Sequence, residues 1–270
     1  MTGRPDSTLA QNADFHLKSR GGRWSLGDWV TDGEHSPCID AGDPAAAVAD
    51  EAEPNADRVN MGAFGGTQQA SKSLGAVLIV ETGQRYGTIQ AAINAAVNGQ
   101  TVEVPQGTHY ENITFAGKNI TVRSENPNDP AVVAATIIDG GLMASVVRFE
   151  NGETADALLT GLTITAGESL YGGGIYCDDA SPTIQGNTVI GNTAGRYGGG
   201  IHCESGRPDI TGNTVTTNTA HSLGGGICTV DADATIKNNT IDENGAMVSG
   251  GGISCTGGTP VINGNTIHSN

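Results

Sequence analysis

From residue 172 onward, apolar and polar positions alternate in short runs that repeat at a fixed distance. The phrase Gly-Gly-Gly-Ile starts at Gly172, Gly198, Gly224 and Gly250, each 26 residues after the last. Three apolar columns keep the same step: Ile175, Ile201, Ile227, Ile253; Ile184, Ile210, Ile236, Ile262; and Val189, Val215, Ile241, Ile267. Two asparagine columns accompany them, Asn187, Asn213, Asn239, Asn265 and Asn192, Asn218, Asn244, Asn270. A strict period of this length predicts a solenoid in which each repeat contacts only its neighbours.

Within one repeat, "GIHC", "PDIT" and "NTVTT" are short, β-branched and alternating, so they read as three strands. Glycine, asparagine and aspartate between them are turn formers. No helical stripe fits inside a repeat, leucine is too sparse for a leucine-rich repeat, and the Ca²⁺-binding glycine-aspartate nonapeptide is absent. The predicted fold class is all-β: a right-handed parallel β-helix with three short strands per coil and a short N-terminal capping helix. Isoleucine and valine ladders should fill its core. Each asparagine should hydrogen-bond to its copies in the coils above and below, as stacked amides do in cross-β assemblies.

Residues 1–75 do not keep the period. "GGRWSLGDWV" reads as a hairpin, "SPCIDAGDP" as a strand and aspartate-rich turn, "AAAVADEAEPNAD" as an acidic loop, "RVNMGAFGGT" as a strand and "QQASKS" as a linker. Together they are expected to form an irregular β-rich tail that ends a preceding β-helix domain. The second domain, 76–270, opens with a strand. A short helix follows, capped by Thr88 or Gly87, with Ile89, Ala92, Ile93 and Ala96 on its apolar face. Such a helix is placed to cover the open end of the core. The coils "ATIIDGG", "SVVRFEN" and "ALLTGLTITAG" look irregular. The repeat breaks off inside a coil at Asn270, so the expectation is a β-helix truncated at its C-terminus, with additional domains in the same parent chain.

These stretches carry a resemblance. Residues 78–270 resemble the pectin-lyase-like superfamily of right-handed parallel β-helices. "YGTIQAAINAAVNGQTVEVPQGTHYENITF" is similar to the N-terminal cap of its pectinesterase-like and repeat-only members. "GGGIYC…SPTIQGNTVIGNTA" resembles the repeats of bacterial surface β-helix proteins, including those likened to chlamydial polymorphic outer membrane proteins. "SPCIDAGDP…VNMGAFGGT" resembles a segment that closes such domains in large secreted proteins. The resemblance implies an extracellular or cell-surface location and a module for adhesion or polysaccharide binding. It does not imply one activity, because the superfamily hosts lyases, hydrolases, esterases, epimerases and non-enzymes.

Composition sharpens this. The 270-residue chain has 13 basic and 29 acidic side chains and a net charge of −16. That excludes nucleic acid and anionic membrane as expected partners, and no run is apolar and long enough for membrane insertion. Aromatics are 4% of the chain and glycines number 41, as suits a narrow core of β-branched ladders. Of five cysteines, Cys177, Cys203 and Cys255 share an inward column. Cys228 is one position off it and should point outward. Inward cysteine is expected to act as a small hydrophobe.

Candidate chemistry lies after the glycine triplets. Tyr171 and Tyr197 precede successive triplets, and Tyr176 and His202 point outward from the next strand. Arg196 and His221 stand at neighbouring corners. A column of tyrosines can stack on sugar rings while Arg196 meets a carboxylate; equally, a repeat puts any tolerated residue in a column. Asp178 and Glu204 also share a column, with Asp179 and Asp231 close by. Carboxylates stacked about 5 Å apart repel one another unless a cation lies between them. The group is therefore either a weak Ca²⁺ site or a solvated acidic turn. No hydrolase, esterase, lyase or epimerase motif stands in the sequence. The alternative function is a polysaccharide lyase acting on acidic polysaccharide, with Arg196 or Arg207 beside Asp178 and Glu204. The uniform step leaves no inserted loops to wall a cleft, which favours a non-catalytic module.

Overall fold

A computed structural model describes residues 76–270 and the strands Arg23–Ser25 and Asp28–Val30. The chain forms two compact units, Met1–Ala76 and Val77–Asn270. In the first, the two strands pair antiparallel with Trp24 opposite Trp29, the hairpin expected there. The other readings of residues 1–75, including the end of a preceding β-helix, lie outside the described residues.

The second unit is a parallel β-solenoid. Its strands stack into a six-stranded sheet, a nine-stranded sheet and a seven-stranded sheet, each strand beside its counterpart one coil away except at one end of the nine-stranded sheet, where Val77–Ile79 and Gln84–Tyr86 pair antiparallel. Ile201 lies between Ile175 and Ile227, Ile210 between Ile184 and Ile236, and Val215 between Val189 and Ile241. All of these are fully buried, and each isoleucine or valine taken out of water contributes roughly 1.5–3 kcal/mol. In the coil of Ile253–His268, Ile262 and Ile267 are half exposed.

The stretches that looked irregular are regular in space. Thr136–Asp139, Val147–Phe149, Leu158–Thr160 and Thr163–Thr165 all lie in register within the same three sheets. One coil takes 25 residues, from Thr163 to Thr188, where the later ones take 26, which hides the repeat. In these coils Phe115 and Phe149 pack ring to ring at 4.2 Å inside the core. Phe149 stands in register with Cys177, and Cys177 with Cys203. Both cysteines are buried hydrophobes as expected. Cys255, in the same column, is exposed.

The capping helix α1 spans Ile89–Ala95, and Thr88 is its N-cap, accepting from the Ala91 N–H. Ile89, Ala92 and Ile93 are buried against the core. Both helix ends are closed by side chains from the coil beneath. Glu111 accepts from the free N–H groups of Ile89 and Gln90 at 2.8 and 2.9 Å, where a carboxylate also meets the positive end of the helix dipole. Lys118 Nζ donates to the carbonyls of Ile93, Asn94 and Ala96, each at 2.7 Å. The Gln90 side chain pairs with both backbone groups of Thr114, so an edge strand of the six-stranded sheet is capped by an amide. A second helix, α2 (Pro130–Ala135), was not foreseen; Asp129 caps it and Pro130 opens it, a start signal present in "NDPAVVAA".

The asparagine columns form complete hydrogen-bond ladders. Asn213 Oδ1 accepts from the backbone N–H and the side-chain Nδ2 of Asn187 at 3.0 and 3.2 Å. Asn213 Nδ2 donates to Asn239 Oδ1 and to the Ile184 carbonyl. The column through Asn192, Asn218 and Asn244 repeats the pattern. Each amide is thereby satisfied while buried, as interior polar groups must be.

Candidate functional site

Four successive coils carry a fourth short strand that the three-strand reading missed. Glu168–Tyr171, Thr193–Tyr197, Thr219–Ala220 and Gly245–Ala246 form a four-stranded sheet of their own. It leads into the glycine triplet. Gly198 takes φ of +64°, and a Cβ on Gly199 would lie 2.4 Å from the Thr219 carbonyl oxygen and 2.5 Å from that of Gly225. Only glycine lets the backbone turn this tightly against the next coil. The turn folds the fourth strand as a ledge over the outer face of the six-stranded sheet, and a Cβ on Gly198 would touch the Cβ of His202. Tyr197 is thus brought onto His202, five residues on.

Four of the six expected binding residues meet under this ledge. Tyr176 and His202 stack one coil apart, centroids 5.8 Å and planes 4° from parallel. Tyr171 and Tyr197, themselves 5.6 Å apart, close over His202 at 5.5 and 5.9 Å. Arg196 Nη1 donates to the Tyr171 hydroxyl at 3.3 Å. His221 is exposed on the next coil of the ledge, outside the ring cluster. The three tyrosines are half-buried, but His202 has no exposed surface. Its expected outward direction holds, since it alternates with inward Ile201 and Cys203; its solvent exposure does not, because the ledge covers it. The same correction applies to Cys228, which is in register with His202 on the outer side yet fully buried.

Arg148 and Glu150 belong to this face and were not foreseen. Arg148 is paired with Tyr176 across the sheet, 28 residues away, so no column at the later step reveals it. Its guanidinium lies 5.9 Å from the centroid of the Tyr176 ring and bridges to Glu150 at 2.6 Å. Burial pushes the Tyr176 phenol up to about 12, helped by the charges of Asp178, Glu204 and Glu150. Burial pushes His202 down to about 4, while the backbone of Cys228 pulls the other way. The Cys228 thiol is pushed up to about 12, chiefly by burial, so it is no nucleophile near neutral pH.

The acidic group is looser than expected. Asp178 and Glu204 are in register, one coil apart. Asp179 and Asp231 are exposed turn residues with φ of 46° and 49°. Ser205 occupies the coil between those two, which separates them by two sheet spacings, on the order of 10 Å. Among the described residues no three His, Cys, Asp or Glu side chains converge as metal ligands. Of the bases of the lyase alternative, Arg196 stays on this face, bonded to the Tyr171 hydroxyl, and the exposed Arg207 lies 3.6 Å from Asp233. The Thr259 hydroxyl and N–H hold that Asp233 carboxylate, keeping its pKa below the usual range.

Residues 147–270 match the family described as right handed beta helix region, and residues 4–42 match one described as disaggregatase related. No curated protein and no solved structure matches the chain. With the parallel stacking above, the first match makes the chain a right-handed β-helix repeat protein.

Proposed function

We propose that this chain is an extracellular or cell-surface β-helix module that binds polysaccharide on the outer face of the six-stranded sheet, without catalysing its cleavage. The observation that supports this most is the composition of that face: half-buried Tyr171, Tyr176 and Tyr197 grouped with Arg148, Glu150, Asp178, Arg196 and Glu204. Aromatic faces take up the apolar side of a sugar ring, and charged groups at the rim make the stronger hydrogen bonds to its hydroxyls. Tyr171 and Tyr197 stand in register on successive coils, one ring above the other along the stacking direction. The β-helix and disaggregatase-related matches are compatible with the reading.

The non-catalytic half rests on geometry. The one histidine of the face is buried, its cysteine is protonated near neutral pH, Arg196 is bonded to Tyr171, and Arg207 lies beside Asp233. An array of neutral and acidic polysaccharides tests both halves. Binding by the wild type that falls at least about tenfold in Tyr176→Ala, as loss of a stacked ring predicts, supports the site. Equal binding by wild type and variant removes it. Release of oligosaccharides on long incubation contradicts the non-catalytic half.

A further inference from the structure

His202 is the one group on this face whose burial its surroundings do not repay. The nearest polar neighbours of the ring are the Cys228 backbone and Glu204 Oε2, 3.8 Å from Nε2; neither reaches hydrogen-bonding geometry with Nδ1 or Nε2, and both nitrogens are shielded from solvent. A neutral imidazole always carries one N–H and one lone pair. A buried polar group left without a partner is destabilising, and the neighbouring coils show that the column does not require one. The equivalent position is Tyr176 in the coil before and Cys228 in the coil after.

What shields the ring is the ledge. The sheet supplies Tyr176 on one side and Cys228 on the other, and the fourth strands supply Tyr171 and Tyr197 above. Tyr176 is held neutral, as is the Cys228 thiol. The facing charges are Glu204, whose Oε2 is 3.8 Å from Nε2, and more distantly Asp178 in the same outer column. Arg196 lies on the ledge itself, bonded to Tyr171.

We propose that His202 is an acid-operated latch: its neutral ring holds the ledge strand Thr193–Tyr197 down on the six-stranded sheet, and a proton on that ring releases it. An imidazolium in this pocket has two sources of help. The Tyr176 ring face attracts a cation weakly. The Glu204 side chain is 46% exposed, so its attraction is screened by water. Against these stands the removal of a full charge from water, the larger effect at a buried site. Desolvation wins, in line with the lowered affinity of the ring for a proton. The ring sits on a strand held by four-residue registers on both sides, whereas the ledge strand is held by shorter ones: three pairs interrupted by a bulge toward Glu168–Tyr171, and two pairs plus a single Tyr197–Leu223 bridge toward the next coil. The ledge is therefore the part that yields. Opening separates Tyr197 and Arg196 from Tyr171 and Tyr176, and so dismantles the face described above.

The sign follows from linkage. In the open state the ring titrates near its ordinary value of about 6.5, and in the closed state near about 4. The open state binds more protons between these values, so closure is complete above about pH 6.5 and is lost as the pH falls toward 4. At pH 4.5 opening should be favoured by roughly 50-fold or more over pH 7.5.

Hydrogen exchange on the full chain at pH 7.5 and 4.5, corrected for the intrinsic pH dependence of exchange, reads this out. The amides of Thr193–Tyr197 should open tens-fold more at pH 4.5, while those of Thr235–Lys237 in the nine-stranded sheet should not. His202→Phe, which fills the pocket and cannot titrate, should abolish the difference. Unchanged ledge opening, or an equal rise in His202→Phe, overturns the latch. Should that variant fold poorly, the wild-type ring titrated by NMR decides: a midpoint near 6.5 overturns the proposal, and one below about 5 together with ledge opening supports it. No glycan is present in the experiment, so the latch and the proposed binding can fail separately.

Discussion

Two kinds of polar column climb the solenoid, one buried from Asn187 to Asn244 and one buried only at His202 and Cys228. In one, Asn187, Asn213 and Asn239 turn inward at a corner, and every amide atom has a partner in the coil above or below. In the other, Arg148, Tyr176, His202 and Cys228 stand on the outer face beneath or beside the ledge, and neither ring nitrogen of His202 is paired. The first column hardly varies along the chain; the second changes chemistry at every coil. Where a stacked position must satisfy buried backbone, one residue type solves the problem and is repeated. Where the fold makes no such demand, the residue is free to vary, and a buried histidine there is better explained by what it does than by what it holds up.

The comparison can be broken at several points. Gly199→Ala should have the largest effect, because the new Cβ would meet backbone oxygens of Thr219 and Gly225 rather than a movable side chain. A loss of about 3 kcal/mol, read as a fall in the denaturant midpoint, is expected. Asn213→Ala comes next. It strips Asn187 of the acceptor for both its backbone N–H and its Nδ2, and removes the donor to the Ile184 carbonyl. The expected loss is about 2–3 kcal/mol, and an unchanged thermal midpoint would contradict the structural role of the ladder.

His202→Phe should behave in the opposite way. At pH 7.5 it removes unpaired buried polar atoms, so stability should hold or rise by about 1 kcal/mol. Below about pH 6.5 the advantage of the variant should widen, since the folded wild-type ring resists a proton that the unfolded ring accepts. Parallel melting curves from pH 7.5 to 4.5 check this; a gap that narrows on acidification would reverse the assignment. The smallest effect is Asp178→Asn. It relieves repulsion with Glu204 at a partly exposed site and should raise stability by only about 0.3 kcal/mol. A clear loss would reveal a bound cation or a missed partner.

Legibility divided along the same line. The ladders were readable because Ile175, Ile184, Val189, Asn187 and Asn192 recur at one step, and stacking geometry forces them to meet. Thr88 and the apolar face of α1 were readable from local rules of helix capping and spacing. The early coils were hidden because the coil ending at Thr188 is one residue short and Arg148 pairs with Tyr176 at a longer step. The ledge was hidden for another reason. Whether Tyr197 lies over His202 depends on the path of Gly198, Gly199 and Gly200, which a pattern of residue types does not encode. The aromatic residues could therefore be named in advance, but not their closure over a buried ring, nor the burial of Cys228.

Stability resides in the inner ladders, and the proposed recognition on the outer face. The most direct test measures thermal midpoint and polysaccharide binding on the same preparations of wild type, Asn213→Ala and Tyr176→Ala. At a temperature where all three are folded, Asn213→Ala should melt earlier and bind normally, while Tyr176→Ala should melt within about 1 kcal/mol of wild type and lose binding. If Tyr176→Ala instead binds as the wild type does, the outer face is packing and the central claim fails.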